Sequence, residues 1–359
     1  MKHHSMVSRT ATLIALGVLA GSACAQSSVT IFGVVDAAMR SAHTDNAGHV
    51  NSLVSGAYSS SRFGFRGQED LGGGLSASFW LESFLNTDTG TTTPAGFQRR
   101  STVSLSQRDW GELRLGRDYT PTHSNWARFD PFGYVGLGAV QLFALSATGN
   151  TPATAAFGTA PNTIQRANNG VQYLLPRNAW GLEGGLAANF GENGTAANDQ
   201  HKSGGGRLGI NLGPVFVSAA TFNTHDDKTV GAFKDSALAA SYDASLVRIS
   251  GGVRRFEYQA ARQNNYLLAA VIPVGVQEFK FSWNRASMDG RVGTVNISND
   301  RADQFAVGYV YHLSKRTHAY TTLATIRNKG NSRFVVPGAP AGAAGVTSRG
   351  FELGVNHEF

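Results

Sequence analysis

The sequence predicts an all-β chain, a transmembrane antiparallel β-barrel of about sixteen strands with a long third loop folded into the pore. Three observations carry the barrel. Apolar and polar residues alternate with period two along almost the whole chain, and helical period is nearly absent. Short and long connections between these segments alternate in turn. No apolar run beyond the N-terminal leader reaches the length of a membrane helix. Composition agrees: 43 Gly and 21 Phe against only 10 Pro suit many strands joined by tight turns. A slightly negative mean hydropathy is no objection, because only one face of each barrel strand meets lipid.

The first residues read as an export signal. Lys2 and Arg9 make a positive start, Ala11 to Ala20 form a short apolar run, and Ala23-Cys24-Ala25 places small residues around a cleavage point. That run is too short to span a bilayer. The chain therefore divides into a signal peptide, 1–25, cleaved after Ala25, and a single barrel domain, 26–359, of an exported protein. Cys24, the one cysteine, leaves with the signal, so no disulfide framework is expected.

Each strand sorts its residues by face. Along the first, Val29, Ile31, Gly33, Val35, Ala37 and Met39 share one side, while Asp36 and Arg40 fall on the other. Phe63 and Phe65 oppose Arg62 and Arg66. Leu75, Ala77, Phe79 and Leu81 oppose Trp80 and Glu82. Phe305, Val307, Tyr309, Tyr311 and Leu313 form an unbroken apolar face, and Phe351, Leu353, Val355, His357 and Phe359 close the chain in the same rhythm. Lipid outside and water inside explain the sorting.

Short turns fall near Leu71-Gly72-Gly73, Arg108-Asp109, Pro176-Arg177-Asn178, Gly213-Pro214, Asp243-Ala244, Pro273-Val274 and Ser314-Lys315. Longer polar or Gly-rich stretches separate them, around 41–55, 87–98, 118–164, 192–203, 224–233, 259–262, 286–301 and 328–347. Seven turns and eight loops join sixteen strands, an even number with both termini on one side. The stretch from Asp118 to Gln165 is far too long for an ordinary loop, and nothing from Pro131 to Gln165 is charged. Trp126, Phe129, Phe132, Tyr134, Leu137, Leu142 and Phe143 give it an apolar surface to pack on the inner wall of its own barrel.

Enzyme motifs are missing from the sequence: there is no P-loop, GxSxG, HExxH or paired-cysteine pattern. No catalytic, cofactor or metal site is expected. Two other classes stay in view, an outer-membrane barrel hydrolase whose site residues are scattered in sequence and an exported soluble β-rich lectin or adhesin. The lectin reading needs polar residues on both outer faces, which the apolar Tyr309 and Tyr311 face contradicts.

The chain resembles the general porins of Gram-negative outer membranes, most closely those of betaproteobacteria. The resembling stretches are SSVTIFGVVDAAMR at Ser27 to Arg40, SSRFGFRGQEDLGGGLSASFWLES at Ser60 to Ser83, WGELRLGRDYTP at Trp110 to Pro121, YVYHLSKRT at Tyr309 to Thr317 and the terminal NHEF. The resemblance implies a sixteen-stranded barrel, usually a homotrimer in outer-membrane lipid, whose third external loop folds into the pore. Its implied cargo is small hydrophilic solutes and inorganic anions, passing without chemistry; no nucleic acid partner is expected.

The same resemblance implies a constriction of Arg62, Arg117 and Arg166 on one wall, faced by Asp130 on the loop, with Asp118 nearer the loop's base. Alternation independently puts Arg62 on the lumen face. It sends Arg117 the way of Leu113 and Leu115, so a twist or bulge must redirect it. Asp36, Arg40, Arg66, Glu82 and Arg114, with Arg207 and Lys280, are further lumen-face residues. Guanidinium groups stay protonated at any working pH. Clustered in a narrow passage, they would raise local anion concentration, so an anion preference is expected.

Overall fold

The computed structural model of the protein describes residues 28–92, 96–145, 149–158, 162–176, 178, 180–191, 200–226 and 231–359. The leader, residues 1–25, lies outside the described residues. Among those described, nineteen strands form one sheet. In chain order they are β1 (Ser28–Thr44), β2 (Gly48–Ser55), β3 (Arg62–Gly72), β4 (Leu75–Asn86), β5 (Thr91–Thr92), β6 (Arg100–Gln107) and β7 (Gly111–Tyr119). After the third loop come β8 (Arg166–Leu174), β9 (Leu182–Asn189), β10 (Ser203–Leu212), β11 (Val215–His225), β12 (Ala232–Asp243) and β13 (Arg248–Tyr258). The last are β14 (Ala261–Val274), β15 (Gln277–Val292), β16 (Val295–Asn296), β17 (Arg301–His312), β18 (Thr317–Lys329) and β19 (Thr347–Glu358).

β2, β5 and β16 are hairpin extensions; the other sixteen strands make the wall, each antiparallel to its neighbours. Closure joins the two ends of the chain. β19 pairs β1 from Val34↔Glu358 to Thr44↔Ser348, and Gly33 and Phe359 exchange backbone hydrogen bonds at 3.0 and 3.1 Å. A closed wall leaves no strand edge unpaired, as lipid requires.

Period two sorts the side chains as expected. On β1, Val29, Ile31, Val35 and Met39 are exposed, while Val34, Asp36, Ala38, Arg40 and Ala42 are buried on the inner side. Two expected loops turn out to be largely strand: β1 and β2 fill most of 41–55, and β15 runs to Val292. Both were hidden because strands that rise above the lipid edge carry polar residues outward and so read as loop. The connection at 259–262 shrinks to Gln259 and Ala260.

β1 pairs β3 over its lower half and β2 over its upper half, so residues 56–61 leave the wall between them. Asp36 ties this strap down. Its carboxylate accepts from the Ala57 amide (2.8 Å), the Ser59 amide (3.2 Å), the Tyr320 hydroxyl (2.7 Å) and Asn356 (3.0 Å).

Among its described residues the third loop holds three short α-helices, α1 (Pro121–Ala127), α2 (Leu142–Leu145) and α3 (Pro152–Phe157). Two begin with Thr-Pro: Thr120 and Thr151 cap them with their hydroxyls and the prolines sit in the first turn. Trp126, Phe129, Tyr134 and Val140 pack on Phe216, Ala237, Ala239, Leu267 and Ala269, which are inner-face residues of the wall. Ala144, Ala153, Ala156 and Phe157 pack on Phe233, Phe256 and Tyr258. A Cβ at Gly252 would lie 2.9 Å from the Trp126 ring and one at Gly308 2.8 Å from Phe132, so bare backbone at these wall positions admits the loop.

Candidate pore constriction

Polar contacts pin the loop at both ends of its crossing. Near its start, Thr122 donates to Asp235 at 2.6 Å, and Asp235 pairs with the buried Arg254, which also holds the Tyr134 hydroxyl at 2.8 Å. Near its tip, the Leu137 amide donates to Glu352 at 3.2 Å, and Gln304 donates to the Leu137 carbonyl at 2.8 Å. Between loop and wall lies a cavity of about 580 Å³. Ser59 and Ser60 of the strap, and His123, Ser124, Tyr134 and Val135 of the loop, border one side. The facing wall supplies Arg62, Arg99, Arg100, Arg114, Arg166 and Arg207 against the carboxylates Glu82 and Asp118.

Five of these arginines have carboxylate partners. Arg99 bonds Glu82, with Arg62 at 3.9 Å from the same oxygen. Arg114 reaches Glu112 (2.8 Å) and Asp118 (2.7 Å), Arg100 stands 3.4 Å from Asp118, and Arg207 pairs Glu183 at 2.7 Å. Arg166 has none among the described residues. It donates to the Tyr119 hydroxyl at 2.8 Å and lies over the rings of Tyr119 (4.4 Å) and Phe84 (5.5 Å). Arg99 stacks on the same Phe84 at 4.7 Å and shares the Tyr119 hydroxyl at 3.2 Å. Two guanidiniums thus stand side by side, held by aromatic faces and one phenol.

His123 adds no charge. Its ring stacks on Tyr119 at 4.5 Å, and complete burial, reinforced by Arg166, Arg254 and Arg99, holds its pKa well below the usual imidazole value.

Two of the four constriction residues expected from sequence, Arg62 and Arg166, meet in this cavity, and Glu82 and Arg114 border it too. Arg66 stacks on Phe32 and Trp80, at 5.3 Å from each, in an adjoining cavity toward the short turns.

Arg117 is a correction. The β7/β8 register does shift between Gly116 and Asp118, yet Arg117 stays on the outer face, opposite Ser101 and in line with the exposed Leu113 and Leu115. Its guanidinium bonds the Gln98 carbonyl at 2.6 Å and the Asn168 side chain, in a neighbouring cleft with Phe97 and Phe190 that Arg166 also borders. Simple alternation was right, because the extra residue of the irregularity lies on β8, opposite Arg117, and β7 itself keeps its register with β6.

Asp130 is a second correction. Its carboxylate accepts from the amides of Phe132 (2.9 Å), Tyr134 (3.2 Å) and Val140 (3.0 Å), folding the loop's own backbone, and it does not border the cavity. Burial outweighs those three donors and pushes its pKa up to about 6. Asp36 and Arg40 lie on the inner face but are covered, Asp36 by the strap and Arg40 by its 2.7 Å pair with Glu352. Lys280 is likewise taken, by Glu278 at 3.2 Å and the Tyr58 ring at 4.6 Å.

Sequence reading missed Arg99, Arg100 and Tyr119. Counting back in twos from Thr102 and Ser104 would have placed Arg100 inward; Arg99 precedes the strand and had no such signal.

A family model for Gram-negative porins matches residues 10–331. The chain belongs to the Gram-negative porin family. Outer membrane porin protein 32 of Delftia acidovorans is 37% identical over 368 residues, covering 97% of this chain and 99% of that one. Major outer membrane protein P.IB of Neisseria meningitidis serogroup B is 25% identical over 359 residues, covering 93% and 98%. Among solved structures, the anion-selective porin from Comamonas acidovorans superposes with a TM-score of 0.80 at 34% identity, over 93% of this chain and all of that one. The protein is thus an outer-membrane porin, a sixteen-stranded barrel around a water-filled channel for passive diffusion.

Proposed function

We propose that this porin passes small hydrophilic solutes with a preference for anions, without chemistry on the solute, and that the narrowest section lies between the Arg62, Arg99, Arg166 wall and the third loop. The observation that carries the reading is the excess of arginine over carboxylate around one cavity, with Arg166 left without a counter-charge among the described residues. Inside a low-dielectric wall such an excess is poorly screened and draws anions in. The selectivity named for the Comamonas acidovorans porin points the same way.

The working unit is a homotrimer in the outer membrane, delivered by a signal peptide cleaved after Ala25. Outward Val29, Ile31 and Met39 of β1, with Leu353 and Val355 of β19, provide an apolar surface suited to protomer contact.

Swelling of proteoliposomes tests the reading. Entry should slow steeply with solute size, and at matched size an acidic sugar should enter faster than its neutral parent. Equal rates for the two, or faster entry of a cationic sugar, would overturn the anion preference.

A further inference from the structure

The short turn between β17 and β18 sets two histidines face to face at one mouth of the lumen. Short turns mark the periplasmic end of a bacterial barrel. The Ser314 hydroxyl accepts from the Arg316 and Thr317 amides, at 3.1 and 3.0 Å, and fixes a hairpin in which His312 stands directly opposite His318. His312 gives its own amide to Val276 at 2.8 Å, on the β15 side. Toward β18 it therefore belongs to a pair without backbone hydrogen bonds, the kind whose side chains approach most closely. Both histidines keep step with the buried Val310 and Tyr320 and so point inward.

Their two Nδ1 atoms are 2.8 Å apart, and the rings are nearly perpendicular, at 87°. One Nδ1 carries the hydrogen of this contact and the other supplies the lone pair. The Tyr58 ring backs His318 at 5.7 Å, while His312 is half-buried and open to the mouth. Among the charges acting most strongly on His318, the carboxylates Glu278 and Glu358 outnumber the ammonium of Lys280. This corner therefore favours a cation, in a lumen whose narrowest section carries an excess of arginine.

We propose that His312 and His318 form a chelating pair for divalent copper, with nickel next in preference. Two imidazole nitrogens bound at about 2.0–2.1 Å and at a right angle on one ion stand about 2.9 Å from each other, whereas a tetrahedral ion would need about 3.4 Å. The 2.8 Å separation matches the first arrangement, square or octahedral, and copper leads the affinity order among such ions. No proton is lost on binding: the donor imidazole moves its hydrogen from Nδ1 to Nε2, and a tilt of each ring aims both Nδ1 lone pairs at one point. No third His, Cys, Asp or Glu completes a ligand set among the described residues, so water fills the other positions and the ion stays exchangeable.

Copper titration of the mature, tag-free porin in detergent tests this, read by calorimetry and by electron paramagnetic resonance of the bound ion. The expected result is one tight site per chain whose spectrum shows two coordinated nitrogens, with weaker binding of nickel and none of calcium. His318→Gln and His312→Gln should each weaken copper binding at least about tenfold and remove the two-nitrogen signature. Should His318→Gln fold poorly, His312→Gln, which leaves the Tyr58 contact in place, gives the same reading. His357→Gln, on the outer face at the same end of the wall, should change neither affinity nor spectrum. Copper held equally by the parent and His312→Gln would mark an adventitious ion only and overturn the proposal. So would the lack of a tight site, or a bound ion with fewer than two nitrogen ligands.

Discussion

Arg166 donates to the Tyr119 hydroxyl at 2.8 Å and lies 4.4 Å above the same ring, with no carboxylate partner among the described residues. Arg99 leans on the same phenol but keeps Glu82. A phenol and aromatic faces therefore position Arg166 without cancelling its charge, which a carboxylate in that place would do. Tyr119→Phe should keep the stacking and lose the hydrogen bond, so it should lower anion preference modestly by loosening Arg166, while conductance stays near that of the parent. Reversal potentials in a salt gradient check this; a preference unmoved by both Tyr119→Phe and Arg166→Ser would remove Arg166 from the account.

Arg117 and Arg166 should behave differently although they stand one strand apart. Arg117→Ser touches the outer face and should leave the charge preference within error of the parent. Arg166→Ser should shift it toward cations. Both are read from the same salt-gradient recording.

Asp130 organises the loop and does so best when neutral. Because burial raises its pKa to about 6, the folded loop favours the protonated form. Its stabilising effect is therefore fully present below the ordinary carboxylate range and is lost as pH rises through about 6. Hydrogen exchange of the Phe132, Tyr134 and Val140 amides, corrected for intrinsic rates, should show protection falling across that window, and Asp130→Asn should flatten the profile. Anion preference should barely change in that variant.

Trp126 is the largest side chain the loop buries in the wall. Trp126→Ala should cost about 3–5 kcal/mol of packing, most of it local to the loop, because the strands keep their own ladder. Open-channel current should become noisier and mean conductance should rise, with the barrel still resistant to detergent. Quiet, unchanged current would mean that the polar anchors at Asp235 and Glu352 suffice.

An unheated sample should migrate as an oligomer on a detergent gel and fall to single-chain mobility on boiling, since a closed barrel with every backbone group paired resists detergent. Migration as a single folded chain before heating, at all detergent levels, would contradict the trimer.

Much of this was legible in the chain because a barrel strand writes its two environments into alternate residues. Faces and the inward placement of Arg62 and Arg114 followed from counting in twos, and strand number from the alternation of short turns with long loops. Alternation fails where a residue's environment is set by a distant part of the chain. Asp36 and Arg40 point inward as expected, but the strap and Glu352 cover them, and neither cover is adjacent in sequence. Asp130 is the only acid between Arg128 and Gln165, so it was the natural partner for the arginines; three nearby amides claim it instead. Arg117 shows the converse: the local pattern was sufficient, and the resemblance to other porins drew the reading away from it.

Selection of anions by the arginine wall is read from the reversal potential across a planar bilayer with unequal salt on its two sides, for the parent and for the variant with Arg62, Arg99 and Arg166 all replaced by Ser. The parent should favour anions, most clearly at low salt where screening is weakest, and the variant should lose that preference or turn toward cations. A cation-selective parent, or a variant as anion-selective as the parent, would contradict an arginine wall as the source of selectivity.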